Sequence, residues 1–386
     1  MQRVGIDPRP DWRKRAAELD FDFHSPGGEI YWNESAYYAF TLDEIEREIE
    51  DPAQELEDLT RAAVERIVAS DVLMDKMRVP RSARELIAAS WRRGDPSLYG
   101  RFDFSYGSGG PAKLLEYNAD TPTALYEAAA FQWFWLEDQV AAGRLPQDAD
   151  QFNSIHERLV ARFAELAGRG MLHVASLPDD VEDRGTVDYI AECARQGGFE
   201  TEFIAIQDIG LGEDGQFYDL ESRPIERLFK LYPWEWLFAE EFAAGLATSR
   251  TGYLEPPWRA LLSNKGLLAV LWEMAPNHRN LCPAYFADDP AACRLDNRHV
   301  RKPLYSREGA NVTMVERGHV VDHEGGAYGE EGFVVQGLAP LPDFEGNNAV
   351  VGAWIVAGQS CGIGIREDNS PITKNTSRFV PHAIVG

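Results

Sequence analysis

The stretch RFDFSYGSGGPAKLLEYNADTPT at 101–123 decides the reading of this chain. Two strand-like runs, RFDFS and KLLEYN, flank a Gly-rich turn, which is the pattern of a β-hairpin. Side chains alternate faces along a strand, so Arg101 and Asp103 share one face while Phe102 and Phe104 share the other. The second run repeats the division, with Glu116 and Asn118 on one face and Leu115 and Tyr117 opposite. In matched register a guanidinium, two carboxylates and an amide converge on one patch. Magnesium takes such an oxygen-rich set and completes its shell with water and phosphate oxygens. The alternative is a solvated face on which Arg101 merely pairs with the two acids. After the hairpin, Thr121 is placed to cap a helix with Pro122 at its first position, aiming free N–H groups at an anion.

Outward from the hairpin, helix and strand patterns alternate. Leu56, Leu59, Ala63 and Ile67 share one face of a helix over about 53–75, and the acidic EIEREIED before it reads as solvated. A second helix, near 150–167, carries Ile155, Leu159, Phe163 and Leu166 and stops at Gly168. MLHVASL, a helix near 183–195 ending at Gly197-Gly198, and FETEFIAI make a strand-helix-strand unit, the sign of a small α/β lobe. KLYPWEWLFAEEFAAGL at 230–246 gathers aromatic residues around a proline and reads as core. From 300 on, short β-rich runs alternate with Gly-containing turns, as in an antiparallel sheet.

Two lysines follow the hairpin. Lys265 stands in LLSNKGLLAVLWEM at a helix start, where a lysine is ordinarily solvated. Lys302 opens KPLYSREGANVTMV, a strand lysine followed by a loop whose N–H groups around Gly309 can cradle phosphates while the ammonium supplies charge. It is not a Walker A loop, because GxxxxGK[ST] is absent. Gln336 ends the apolar run GFVVQ, beyond which backbone groups are available to an adenine. Arg366 lies in the Gly-rich CGIGIRED, with an ion pair to Glu367 or Asp368 as its plain alternative. The histidines are dispersed and suggest no ligand set.

Composition bounds the function. With 63 acidic and 38 basic residues the chain carries a formal charge of -25, which repels nucleic acid and anionic membranes. That acidity serves solubility or attracts a cationic substrate, and bulk charge does not separate the two. Four scattered cysteines form no CxxC pair, no apolar run spans a membrane, and no signal peptide is evident, so a cytoplasmic location is expected.

Taken in order, RFDF, LLEYNADTPT, SNKGLLAVLWEM, RKPLYSREGANV, FVVQ and GIGIREDNSPITKNTSRFVPH resemble the synthetase domain of the glutathionylspermidine synthase family, from YWNESAYYAF at 31 to the end. The resemblance implies an α+β permuted ATP-grasp fold with an attached Rossmann-like pre-ATP-grasp α/β lobe. One composite unit over 1–386 would comprise a metal- and phosphate-binding lobe at 1–165, the α/β lobe at 170–260 and a nucleotide-grasping lobe with a Gly-rich lid at 261–386.

By the same resemblance Asp103, Glu116 and Asn118 hold magnesium, and Arg101 and Arg366 act in catalysis. Arg101, Phe102, Asp103, Lys265, Lys302, Gly309, Gln336 and Ile372 then meet ATP. Thr121 and Thr123 correspond to the region that meets the acid, and Glu182 and Asp183 to acids that meet the amine. The implied activity is an ATP- and magnesium-dependent, ADP-forming ligation of a small carboxylic acid, such as a glutathione-like peptide, to an amine, such as a polyamine, through an acyl phosphate. The bifunctional members carry an amidase ahead of the synthetase; this chain has no room for one, so amide hydrolysis is not expected. Competing readings are an ATP-binding regulatory protein without turnover and a metal-dependent hydrolase built on Asp103 and Glu116 alone.

Overall fold

The hairpin forms in the register that the alternation implies. In the computed structural model, which describes residues 1–386 apart from 108, 167–169 and 296, Arg101 pairs with Asn118 and Asp103 with Glu116 across the strands Tyr99–Ser105 and Lys113–Asn118. A register shift between Asp103 and Phe104 marks a bulge just past the acids.

The hairpin is one edge of a five-stranded antiparallel sheet. Its strands run in the spatial order Arg378–Val380, Gln359–Asp368, Asn348–Val356, Tyr99–Ser105 and Lys113–Asn118. The runs after residue 300 are antiparallel as expected, but they divide between two sheets. Arg298–Pro303, Thr313–Glu316, His319–His323 and Phe333–Gly337 join Ala284–Phe286 in a second five-stranded sheet, while the last runs complete the hairpin sheet. Residues on either side of the expected boundaries at 165 and 261 thus share one sheet.

The side of the hairpin facing away from the acids is core. Phe102 and Phe104 are fully buried with Val351, Ile363 and the helix residues Leu56, Ala63 and Ile67. Phe102 stacks on Tyr117 with ring centroids 3.8 Å apart, a geometry that adds about 0.5–1.5 kcal/mol beyond area burial. The Tyr117 hydroxyl donates to Glu57 at 2.7 Å, and the buried Arg259 donates to the carbonyls of Tyr99 and Ala119 at 2.6 and 2.8 Å. Both hairpin strands are therefore held from behind, and the polar face is free for chemistry.

Four parallel strands, ordered Gly252–Leu254, Arg227–Lys230, Met171–Ser176 and Glu200–Ala205, make a separate sheet, with the helix Val181–Gln196 linking its last two. The expected strand-helix-strand unit is present. The preceding helix is Ile155–Glu165; its expected stop at Gly168 lies outside the described residues. Gln2–Gly5, Ala36–Phe40 and His382–Ile384 form a fourth, mixed sheet.

Three local readings are corrected. The acidic run 44–51 is helical and half-buried: Thr41 and Glu44 form a capping box that starts a helix through Leu42–Ile45, and Ile45 and Ile49, four apart, are buried in the core. The helix after it is broken, Asp51–Val68 being followed by Asp71–Lys76 with its own Ser70 cap. In 230–246 Trp234 is fully buried, but Trp236 and Phe242 are 37% and 47% exposed.

Candidate active site

Asp103 is the centre of the polar patch. Its two oxygens accept from Arg101 Nε at 2.6 Å and Nη2 at 3.0 Å, from Asn118 Nδ2 at 3.1 Å, and from Arg366 Nη2 at 3.1 Å. Arg101 and Asp103 are buried, 6% and 3% exposed, which removes the solvated-face reading. Arg101 can lie flat there because Gly352 stands opposite Asp103 on the next strand; a Cβ at Gly352 would come within 2.7 Å of Arg101 Cδ. The Arg101 guanidinium also lies 5.5 Å from the centre of the Trp354 ring. Arg366 pairs with Asp103 rather than with its neighbours Glu367 and Asp368; Glu367 instead accepts two bonds from Arg3.

Lys302, from the second sheet, and Lys265, from the turn before the helix Leu267–Met274, come to the same place. Lys265 Nζ lies 3.0 Å from Glu116 Oε2 and donates to the Ser306 carbonyl at 2.5 Å. Lys302 Nζ donates to the Leu115 carbonyl at 2.8 Å and to Gln336 Oε1 at 2.9 Å, while Gln336 Nε2 donates to the Leu114 carbonyl at 2.8 Å. Gln336 thus binds the hairpin backbone and aims Lys302. Burial drives the Lys302 ammonium down to about 8, against the pull of Glu116. Burial would raise the Glu116 carboxyl, but Lys265 and Lys302 overcome it and hold it at about 2.

Between the sheets lies a cleft with about 670 Å³ of open space, lined by Asp103, Glu116, Lys265, Lys302, Gly309 and Ile372, with Val300, Met314 and Leu338 forming apolar walls. Gly309 has φ +73°, and a Cβ there would meet Ile372 Cγ2 and the Thr373 carbonyl at 2.7 Å, so only glycine lets this loop close onto the 371–373 segment. Of the residues expected to meet ATP, Phe102 stands apart: its side chain lies in the core behind the hairpin.

Thr121 caps no helix. Helical structure begins at Leu125, after Ala124 at φ +63°, and the Thr121 hydroxyl accepts from Arg307 Nη1. Arg307 comes from the Gly309 loop and also donates from Nη2 to Glu235 Oε1 at 3.0 Å. The Thr123 carbonyl accepts from Arg101 Nη1 at 2.7 Å. A single turn of chain therefore carries contacts to guanidinium groups from two different sheets.

Glu182 and Asp183 open the helix Val181–Gln196, whose cap Asp180 accepts from the Asp183 N–H at 3.0 Å. Burial and then Glu127 push the Glu182 carboxyl up to about 8, with the Thr123 hydroxyl as a hydrogen-bonding neighbour. Burial and Asp180 push Asp183 up to about 7. Glu127, also raised by burial, stands in a π-helical turn, Glu127–Phe131, of the kind that recurs at functional sites. Glu127 and Glu182 line a second cleft with about 1570 Å³ of open space. Its other acids are Asp20, Asp22, Asp179, Asp180, Asp188 and Glu192; the cations among its described lining residues, Arg184 and Arg195, are paired with Asp188 and Glu192. Eight of the chain's 63 acidic residues line this cleft.

Two participants had no sequence signal strong enough to single them out. Arg307 sits inside the quoted SREGAN string, and only its partners 186 and 72 residues away reveal its place. Glu127 lies four residues beyond Thr123 and is marked out by burial alone.

The glutathionylspermidine synthase preATP-grasp family profile matches residues 3–385. The chain belongs to the glutathionylspermidine synthase family. A candidate acid–amine ligase of Haemophilus influenzae is 42% identical over 401 positions that cover 100% of both chains. Trypanothione synthetase of Crithidia fasciculata is 27% identical over 84% of this chain and 53% of its own length; the bifunctional glutathionylspermidine synthetase/amidase of Escherichia coli is 26% identical over 97% of this chain and 63% of its own. A glutathione synthetase-like effector of Globodera pallida shares the fold, with a TM-score of 0.53 at 10% identity over 98% of each chain. As a member of this family of ligases, the chain is an enzyme. Among the described residues no helix is long and apolar enough to cross a membrane.

Proposed function

We propose that the chain is an ATP- and magnesium-dependent ligase that joins a small carboxylic acid to a cationic amine through an acyl phosphate, on a permuted ATP-grasp fold. The observation that carries the reading is the convergence of Asp103, Glu116, Lys265, Lys302, Gly309 and Ile372 on one cleft, joined through Arg366 to the acidic cleft of Glu127 and Glu182.

Asp103, Glu116 and Asn118 fit magnesium by donor chemistry. Two carboxylates already stand side by side against cationic partners, and half a turn of the Asn118 amide presents its oxygen. Bound there, magnesium would neutralise phosphate oxygens and make the transferred phosphorus more electrophilic. Val300, Met314 and Leu338 offer apolar faces to a purine, while Lys265 and Lys302 balance phosphate charge and the loop at Gly309 excludes water. Arg307, fixed on Thr121, orients the acid. Arg101 and Arg366 stabilise charge developing on the transferred group without having to reorganise, because Asp103 already fixes both. Glu127, Glu182 and Asp183 hold the ammonium and accept the proton that it must lose before attacking.

ADP release that requires both an acid and an amine, surveyed over acid and amine pairs, tests the reading. ADP formation independent of either partner would overturn it. Lys302→Ala is expected to lower kcat/KM for ATP by about 10²-fold, the usual cost of one preorganised charged contact. The amine site carries a pH signature. Glu182 and Asp183 are neutral at pH 6 and ionise as pH rises through about 7 and 8. The KM for a polyamine, whose ammonium groups stay charged over this range, should therefore fall about tenfold from pH 6.5 to 8, as expected for binding linked to release of one proton. Glu182→Gln should flatten that profile.

A further inference from the structure

The parallel sheet holds a cavity to which neither the nucleotide cleft nor the acidic cleft contributes. It sits at the carboxyl ends of three strands: Leu177 follows Met171–Ser176, Ile206 follows Glu200–Ala205, and Tyr232 lies just past Arg227–Lys230. It has about 880 Å³ of open space, and its floor is Ile209, Phe217 and Leu228. Carboxyl ends of parallel strands are where open α/β sheets bind ligands. Two features point to a ligand with one apolar end. The rim exposes large apolar side chains, Leu177 at 37% and Phe242 at 47%. Its charged lining residue, Glu240, is exposed and accepts the Tyr232 hydroxyl at 2.7 Å, while the rest of the lining is mainly aliphatic and aromatic, so the inner end of a guest meets apolar surface.

The rim leads to the place where the acid is read to bind. The Tyr232 ring packs edge-on against Trp236 at 5.2 Å, and the Arg307 guanidinium lies 5.9 Å from the Trp236 ring on its way to Thr121 and Glu235. From the other side, Leu177 begins the loop that reaches Asp180 and Glu182. We propose that this cavity takes the hydrocarbon portion of the acid substrate, so that the preferred acids are carboxylates with an apolar tail, the head near Arg307 and the tail over Tyr232 into the parallel sheet. The proposal rests on the ligase reading for its carboxylate end.

Calorimetric titration of the whole protein with butyrate, hexanoate and octanoate tests it without ATP or amine. The Kd is expected to fall about fourfold per added methylene, from about 0.8 kcal/mol for each. Ile206→Glu, which places a charge at the mouth, and Gln207→Trp, an exposed position where an indole would cover it, should each weaken octanoate at least tenfold and leave butyrate unchanged. No chain-length dependence, or a dependence that both variants preserve, overturns the proposal, as does dimerisation through this face on sedimentation. Chain-length-dependent binding with no ADP formed in the presence of any amine would keep the cavity as a carboxylate-tail site and remove the ligase reading instead.

Discussion

Asp103→Asn is expected to lower kcat/KM for ADP release by about 10³, at the upper end of what one preorganised electrostatic group supplies. The carboxylate does three jobs at once. It accepts two bonds from Arg101, fixes Arg366 from the next strand but one, and stands beside Glu116 as an oxygen donor of the candidate metal site. Asparagine keeps the size and one oxygen but deprives both guanidinium groups of the carboxylate that they share, so both swing or take up water. Breaking a buried pair by removing one partner costs about 3–5 kcal/mol of stability, because the remaining charge stays desolvated. Urea denaturation and ADP release therefore have to be read together. A variant that folds, binds ATP within a few fold of the parent and turns over normally would show that the hairpin acids are structural.

Lys230→Met carries an equally large expected loss of stability, again about 3–5 kcal/mol. Lys230 and Asp120 are both fully buried, with Nζ 2.6 Å from Oδ1; the second Asp120 oxygen accepts from the Trp234 N–H at 2.8 Å, and the ammonium lies 4.4 Å from the Trp234 ring. Burial lowers the Lys230 ammonium while Asp120 pulls it back up. Asp120 follows the hairpin acids and immediately precedes Thr121, so this pair is the bolt between the parallel sheet and the site. Removing the cation strands a carboxylate with one backbone N–H. The double replacement Asp120→Asn with Lys230→Met should recover part of the loss, since the orphaned charge goes too. Equal destabilisation of single and double variants, measured by urea titration, would locate the cost in packing around Trp234 instead.

The hairpin was legible because period-two alternation is a local signal that burial on one face enforces. The register, the bulge after Asp103 and the room left by Gly352 are set by the strand Asn348–Val356, almost 250 residues away, and no local pattern reports them. Lys302 and Gln336 each had a local context, but their mutual bond had none. The misreadings have equally local causes. EIEREIED reads as solvated because six charged residues hide two isoleucines spaced one helical turn apart, and Thr41, which caps the helix, stands ahead of the run. Thr121 resembled a cap because Pro122 follows it, but Ala124 in the left-handed region delays the helix and frees the threonine for Arg307. Phe102 shared a motif with the site without sharing its face.

The shared sheet has a consequence for how the enzyme comes into being. A chain still on the ribosome can begin to pair the two hairpin strands once residue 118 has emerged, but the strand Asn348–Val356 that flanks them comes far later. Arg366 arrives with the strand Gln359–Asp368, and Glu367 beside it receives Arg3 from the opposite end of the chain. Sequence separations this large make the last pairing the slow one. Growing chains would thus display an acidic patch that holds Arg101 but still lacks Arg366, and the complete set would appear only in a late step that brings residues 3 and 367 together.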